Sequence, residues 1–248
     1  MLYDAEATYA DLEAAEVEIA ILPIGAIEQH SLHLPLGTDW IGAEALARRV
    51  AERLARDRDV YLLPGWPYSL SQCHGPMPGT VWLTPRTLAD VLGDTVRSLY
   101  TQGIRRVVVI NGHGGNFVLD AEIRELNLRY PDLILLSAAS WDTAGGARPT
   151  GRVTGGDIHA GEGETASQLY LNPQHVGSER VDYVPPVGRE FLDYAYMCHI
   201  SPHGVWGRPS RGTAEAGKEQ LERAAEGLAR AVQEAFEGIA ALKGGEEA

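Results

Sequence analysis

The 248-residue chain has only two cysteines, Cys73 and Cys198, and they do not stand in a CxxC or other paired spacing. Reduced thiols and a cytoplasmic location are expected on that usage, although spacing alone leaves a disulfide between the two open. No stretch approaches the roughly 20 apolar residues of a membrane span. The acidic start Met1-Leu2-Tyr3-Asp4-Ala5-Glu6 has no apolar signal core. No membrane partner is expected. Basic residues are scarce: 21 Lys and Arg stand against 34 Asp and Glu, a net charge of -13. Phosphate backbones recruit clustered cations, so no nucleic-acid partner is expected. The excess acid reads as solvated helix surface. No internal repeat and no linker divides the chain, so residues 1–248 read as a single domain. A hydrophobic content of 44% is enough for a packed core.

What is there alternates between strand and helix patterns. Thr8 and Asp11 form a capping-box-like start to a short helix. Residues 18–24 read as a buried strand and residues 39–56 as a helix with Asp39 at its N-cap, where capping and metal ligation compete for one carboxylate. Residues 59–64 form a second strand. Thr84 and Pro85 open a helix that Gly103 closes. Residues 105–110 are a continuous apolar run that suits a central parallel strand. A helix over residues 117–130 follows, then a strand over 133–137 that ends near Trp141 and Asp142. Residues 143–156 are loop-like, and a helix after Glu164 ends near Pro173. Residues 175–212 are irregular, which suits a functional or interfacial segment. A long helix runs over residues 213–242. This order predicts an α/β fold with a mainly parallel sheet and crossover helices on both faces.

Chemistry collects where strands end, which is where open α/β sheets place their sites. Glu28 and His30 are two apart and share a side in extended backbone. Asp39 follows a Leu-Pro-Leu-Gly turn that can bring it back toward them. Glu, His and Asp on converging loops suit a borderline divalent ion. The turn from Asn111 to Asn116 carries His113 among glycines, without the Lys of a P-loop and without GxGxxG. Residues 157–164 hold Asp157, His159, Glu162 and Glu164 at a helix start. Glu162 and Glu164 cannot face the same way on a helix. Acidic residues are favoured in a first turn by the dipole, which accounts for Glu164 and leaves His159 unexplained. His74 lies in a Gly/Pro-rich loop. Six of the eight histidines (30, 33, 74, 113, 159 and 203) fall in such loops or in the irregular segment, as expected if they converge at one end of a sheet.

Together, Glu28-Gln29-His30, the Leu34 to Asp39 run, Pro78-Gly79-Thr80, Asn111-Gly112-His113-Gly114-Gly115-Asn116 and His159-Ala160-Gly161-Glu162 resemble the creatininase (creatinine amidohydrolase) family. Gly204-Val205-Trp206-Gly207 with Pro209 resembles that family's C-terminal motif. The resemblance covers nearly the whole chain in order. It implies a three-layer α/β/α fold, two divalent metal ions per chain (zinc, manganese or iron) and a homo-oligomer, commonly a hexamer. By similarity Glu28 and His113 hold one ion, His30 the other, and Asp39 bridges both. Creatininase itself takes a further carboxylate from a Glu two residues after the His of the turn, where this chain has Gly115. Charge and ligand count therefore assign Glu162 as the missing ligand. His159 matches the family's catalytic histidine. His33 is expected to turn away from the metals. Ser31-Leu32, Gln72-Cys73 and Met77 depart from the family's usual residues and bear on the substrate.

The function implied is hydrolysis of a C–N bond in a cyclic amide or formamide-type small molecule by a hydroxide bridging two ions. His159 would be the general acid. Asn116 is a candidate for oxyanion stabilisation, and His74, Trp141 and Trp206 for substrate contacts, with core packing an equal reading for the tryptophans. Other reactions of the family remain open: formamidopyrimidine deformylation, peptide processing or carbocyclic ketone hydrolysis. A two-metal phosphoesterase and a non-enzymatic metal-binding module are the more distant alternatives.

Overall fold

The computed structural model describes residues 1–139 and 156–244. Among the described residues five parallel strands form one sheet: β1 (Leu2–Tyr3), β2 (Val17–Ile24), β3 (Asp59–Leu62), β4 (Arg106–Asn111) and β5 (Ile134–Ala139), in the order β1-β3-β2-β4-β5. The short β1, which the sequence pattern did not reveal, pairs with β3 in the register Leu2 to Val60. In β2 and β4 alternate apolar side chains enter opposite faces, as a period of two requires. Ile19, Ile21, Val108 and Ile110 pack on one side, and Ala20, Leu22, Val107 and Val109 on the other. All eight are fully buried. Burying one such Val or Ile contributes about 1.5–3 kcal/mol relative to leaving it in water.

Seven helices flank this sheet among the described residues: α1 (Tyr9–Ala14), α2 (Thr38–Leu54), α3 (Pro85–Thr101), α4 (Val118–Arg129), α5 (Glu162–Leu171), α6 (Met197–Ile200) and α7 (Ala214–Gly244). α2 and α7 cover one face, and α3 and α4 the other. The result is the three-layer α/β/α arrangement expected. Local signals set several boundaries. Thr8 and Asp11 make a reciprocal capping box on α1. Thr84 accepts from the Thr87 N–H with Pro85 at the first helical position. Gly103 takes φ +89° just beyond α3.

The topology positions the site. β2 pairs with β3 on one side and β4 on the other, so the connection from β3 to β4 crosses back over β2. The loops leaving the C-terminal ends of β2 and β4 therefore diverge from adjacent strands and open a crevice between them. Asp39 is not the N-cap of α2. Gly37 is, and Asp39 lies inside the first turn, its carboxylate free of any capping duty. The competition between capping and ligation expected for that carboxylate does not arise. Both cysteines are free thiols.

Candidate metal centre

Glu28, leaving the β2 end, is fully buried. Neither of its carboxylate oxygens has a hydrogen-bond partner among the described residues. Burying such a group without compensation costs several kcal/mol, so a cation is the natural complement. The oxygens face different neighbours. Oε2 lies 3.4 Å from His113 Nε2. Oε1 lies 3.5 Å from both His74 Nε2 and His159 Nδ1. Asp39 joins the remaining parts: Oδ1 is 3.1 Å from His30 Nε2, and Oδ2 is 2.9 Å from His113 Nδ1. Glu164 Oε2 lies 3.6 Å from His30 Nε2.

Three of the histidines share one design. His30 Nδ1 lies 3.1 Å from the Glu28 carbonyl, His113 Nε2 lies 2.8 Å from the Leu70 carbonyl, and His159 Nε2 lies 2.7 Å from the Gln29 carbonyl. A carbonyl oxygen only accepts, so each of these nitrogens carries the proton. The other nitrogen of each ring is left with its lone pair directed at carboxylate oxygens. Lone pairs aimed at carboxylates repel unless a cation or proton lies between, and an N–H fixed on a carbonyl is the usual support of a metal-ligating imidazole. Three overlapping groups have their ligand atoms within 4.8 Å of one another: Glu28, Asp39 and His113; His30, His159 and Glu164; and Glu28, His74 and His159. The donor set fits a divalent ion.

Without an ion, protons take its place. The carboxylates, Asp39 foremost, overcome the opposing effect of burial and raise His30 to about 10. Burial opposes the same rise in His113, which Glu28 and Asp39 bring to about 9. Asp39 is held far below the usual carboxylate range by its two imidazoles, against desolvation. Desolvation raises Glu164 to about 7 against the pull of His30 and of the Ala160 N–H. Burial lowers His159 and His74, which disfavours the charged form of both rings.

The structure does not bring Glu162, the further ligand expected from the sequence, to this cluster. Glu162 is exposed, while Glu164 reaches His30 and accepts from the Ala160 N–H at 2.5 Å. The reason is the helix start. α5 begins at Glu162, and that residue's backbone N–H is taken by Asp157 Oδ1 at 2.7 Å. Two residues later the chain has turned far enough to bring Glu164 inward. The signal was present as Gly161, which marks where helical geometry begins.

The remaining residues are placed as follows. His33 turns away, as expected: its Nε2 lies 3.0 Å from Thr165 Oγ1, and burial lowers it to about 4. Asn116 is 3% exposed and its amide is used within the protein. Oδ1 accepts from Leu70 N–H and Nδ2 donates to Asn111 Oδ1, which ties the His113 turn to the segment whose carbonyl holds His113. Trp206 is 3% exposed, and its backbone pairs with His159 in both directions. His203 is exposed and outside the cluster. Trp141 lies outside the described residues. Gln29 was not singled out from the sequence, yet its side chain lies 2.7 Å from His74 and 3.0 Å from His159.

A family model described as "Creatininase: Creatinine amidohydrolase" matches residues 5–232. The chain belongs to the creatininase family. As such it is a hydrolase. It is 35% identical over 222 residues to the mycofactocin precursor peptide peptidase of Mycobacterium tuberculosis, covering 86% of this chain and 83% of that one. It is 30% identical over 256 residues to the creatinine amidohydrolase of Pseudomonas putida, with 93% and 96% covered. A solved creatininase described as the Mn form superposes with TM-score 0.80 at 27% identity, covering 95% of this chain and 99% of that one. Another, described as a Zn-Zn type, gives 0.78 at 27%, covering 94% and 98%. Those two creatininase structures are thus described with manganese and with zinc. In this member a Cβ on Gly115 would fall 2.3 Å from His113 Nε2 and 2.4 Å from the Leu70 carbonyl. The turn is closed too tightly for a glutamate there, which fits a carboxylate supplied instead by Glu164.

Proposed function

We propose that this chain is a metal-dependent amidohydrolase with a dinuclear centre that hydrolyses a C–N bond in a cyclic amide or formamide-type small molecule. The observation that carries the reading is Glu28: a fully buried carboxylate with no hydrogen-bond partner among the described residues, faced by imidazoles. Glu28, Asp39 and His113 would hold one ion; His30, Asp39 and Glu164 the other, with zinc, manganese or iron as the candidates. When bound, two such ions supply hydroxide from water near neutral pH and polarise a carbonyl oxygen. Asp39 directs Oδ1 toward His30 and Oδ2 toward His113, so its carboxylate would be shared by the two ions. His159 takes a proton at Nδ1, where its lone pair faces the cluster, and returns it to the leaving nitrogen. Water is thus added across the bond, its hydroxyl to the carbonyl carbon and its hydrogen to nitrogen. Asn116 acts by bracing the His113 turn. The homohexamer of the family is the proposed assembly and the cytoplasm the proposed location. No helix among the described residues is long and apolar enough to cross a membrane.

A second reading, processing of a peptide, is favoured by the 35% identity to a precursor peptide peptidase. One experiment addresses both. The protein is loaded with zinc or manganese, its metal content measured, and cyclic amides, formamides and short peptides screened for released amine or formate. The expected result is about two equivalents per chain and turnover within one substrate class. Asp39→Ala should lose both. No exchangeable metal together with inertness across the panel would sink the reading.

A further inference from the structure

His74 is the odd histidine of the cluster. The other three rest an N–H on a backbone carbonyl, whereas His74 Nδ1 meets the Gln29 side-chain nitrogen at 2.7 Å. The Gln29 amide has a fixed orientation. Its Oε1 accepts from the Ser31 backbone N–H at 3.0 Å, and its Nε2 donates to the Gly204 carbonyl at 3.2 Å. Flipping the amide would set a donor against a donor and an acceptor against an acceptor. Gly204, at φ +69°, presses against this amide so closely that a Cβ there would fall 2.0 Å from Oε1.

The protons then count to one solution. The Gln29 amide nitrogen has two hydrogens and three neighbours: the Gly204 carbonyl, His74 Nδ1 and His159 Nε2. His159 Nε2 has its own hydrogen, directed at the Gln29 carbonyl at 2.7 Å, and needs none. One amide hydrogen goes to Gly204. The other goes to His74 Nδ1, which must accept, so the neutral His74 ring carries its proton on Nε2. Both rings point their far nitrogen at the same Glu28 Oε1 from 3.5 Å, with opposite character. His74 presents an N–H and His159 presents a lone pair.

We propose that Gln29 is a positioning residue that fixes His74 as a hydrogen-bond donor and keeps it off the metal ions, while the backbone of the same residue fixes His159 as an acceptor. One residue thereby splits two adjacent imidazoles into opposite roles. His159 is left free to take a proton, and the His74 N–H is available to a substrate carbonyl oxygen. The third grouping, Glu28 with His74 and His159, is then not a cation site, because one of its three members offers no lone pair.

The assignment of roles rests on the hydrolase reading, but the tautomers do not, and the test separates them. Two-bond proton–nitrogen spectra of the zinc-loaded, 15N-histidine-labelled protein report which ring nitrogen is protonated. The expected wild-type result is Nε2–H for both His74 and His159. In Gln29→Glu the amide donor is gone, and His74 should move its proton to Nδ1 while His159 stays unchanged. A fall in kcat of roughly 10- to 100-fold with KM little altered should accompany the switch, as for other residues that orient a site's imidazoles. Gly204→Ala, which displaces the amide, gives a second route to the same switch if the first variant folds poorly. An Nδ1–H tautomer of His74 in the wild type, an unchanged tautomer in both variants, or a third zinc equivalent lost in His74→Ala would overturn the proposal. Loss of turnover on every substrate with the tautomers as stated would leave it standing and count against the hydrolase reading alone.

Discussion

At the scale of single residues, the cluster is defined by what each polar atom has left after its local bonds are satisfied. His30, His113 and His159 each give up one nitrogen to a carbonyl and keep the other for the centre. Two residues that carry this region, Ser31 and Ala160, directly follow site histidines and have φ of 59° and 50°. Left-handed backbone in non-glycine residues costs on the order of 1–3 kcal/mol and concentrates at functional sites, because it aims a neighbouring side chain that regular structure would not. The glutamate pair of α5 gives the sharpest residue-scale prediction. Glu164→Gln should remove at least one metal equivalent, since its oxygen is the one beside His30. Glu162→Gln, on an exposed side chain, should leave metal content unchanged. Atomic emission on the purified variants reads this, and a loss confined to Glu162→Gln would reverse the assignment. His30, Glu28, Asp39 and His113 were legible in sequence because they sit at strand ends and a helix start. Glu164 was not, because the choice between it and Glu162 depends on the residue at which the helix begins.

At the scale of elements, α5 acts as a mount. Its first turn has no cap from Gly161, and Asp157 supplies one from outside, accepting from the N–H groups of Glu162 and Gly163 at 2.7 and 2.9 Å. A carboxylate at a helix N-terminus satisfies orphan donors and complements the dipole, an effect of about 1 kcal/mol. Asp157→Ala should therefore lower stability by about that amount. It should also weaken metal affinity several-fold, because Glu164 rides on the loosened turn. Denaturant midpoints and chelator competition together test this; unchanged affinity with lowered stability would show that Glu164 is held by its bond to Ala160 alone. The strands and most helices could be read from periodicity and caps, since those signals are local. β1 could not, because a two-residue strand exists only through its pairing with β3.

At the scale of the whole molecule, the cluster joins loops from three separate stretches of the chain. Glu28 to Asp39 follow β2, His113 follows β4, and His159 and Glu164 come from the segment into α5. Ions here should staple those parts together. At a free-metal level 100 times Kd, binding adds about 2.7 kcal/mol, or roughly 5–10 °C in Tm for a chain of this size. The pH dependence has a definite sign. In the metal-free chain His30 is raised to about 10 and His113 to about 9, from ordinary values near 6.5. Their contribution is complete below pH ~6.5 and is lost as pH climbs through 9 and 10. Ions displace those protons and gain affinity over the same range. The Tm difference between metal-loaded and chelated protein should therefore widen from pH 7 to pH 10. A constant or shrinking difference in thermal scans would contradict the assignment of these two histidines.

The sequence alone determined the layers, the parallel sheet, the family motifs and four of the residues that meet in the cluster, because hydrophobic period, caps and motif order are properties of short segments. Only the tertiary structure decided which glutamate of α5 turns inward, that Asn116 is a brace and that Gln29 lies between two histidines. Those depend on where distant backbone carbonyls and amides fall. The Gly204 carbonyl orients the Gln29 side chain from 175 positions away along the chain, and no local pattern encodes that meeting.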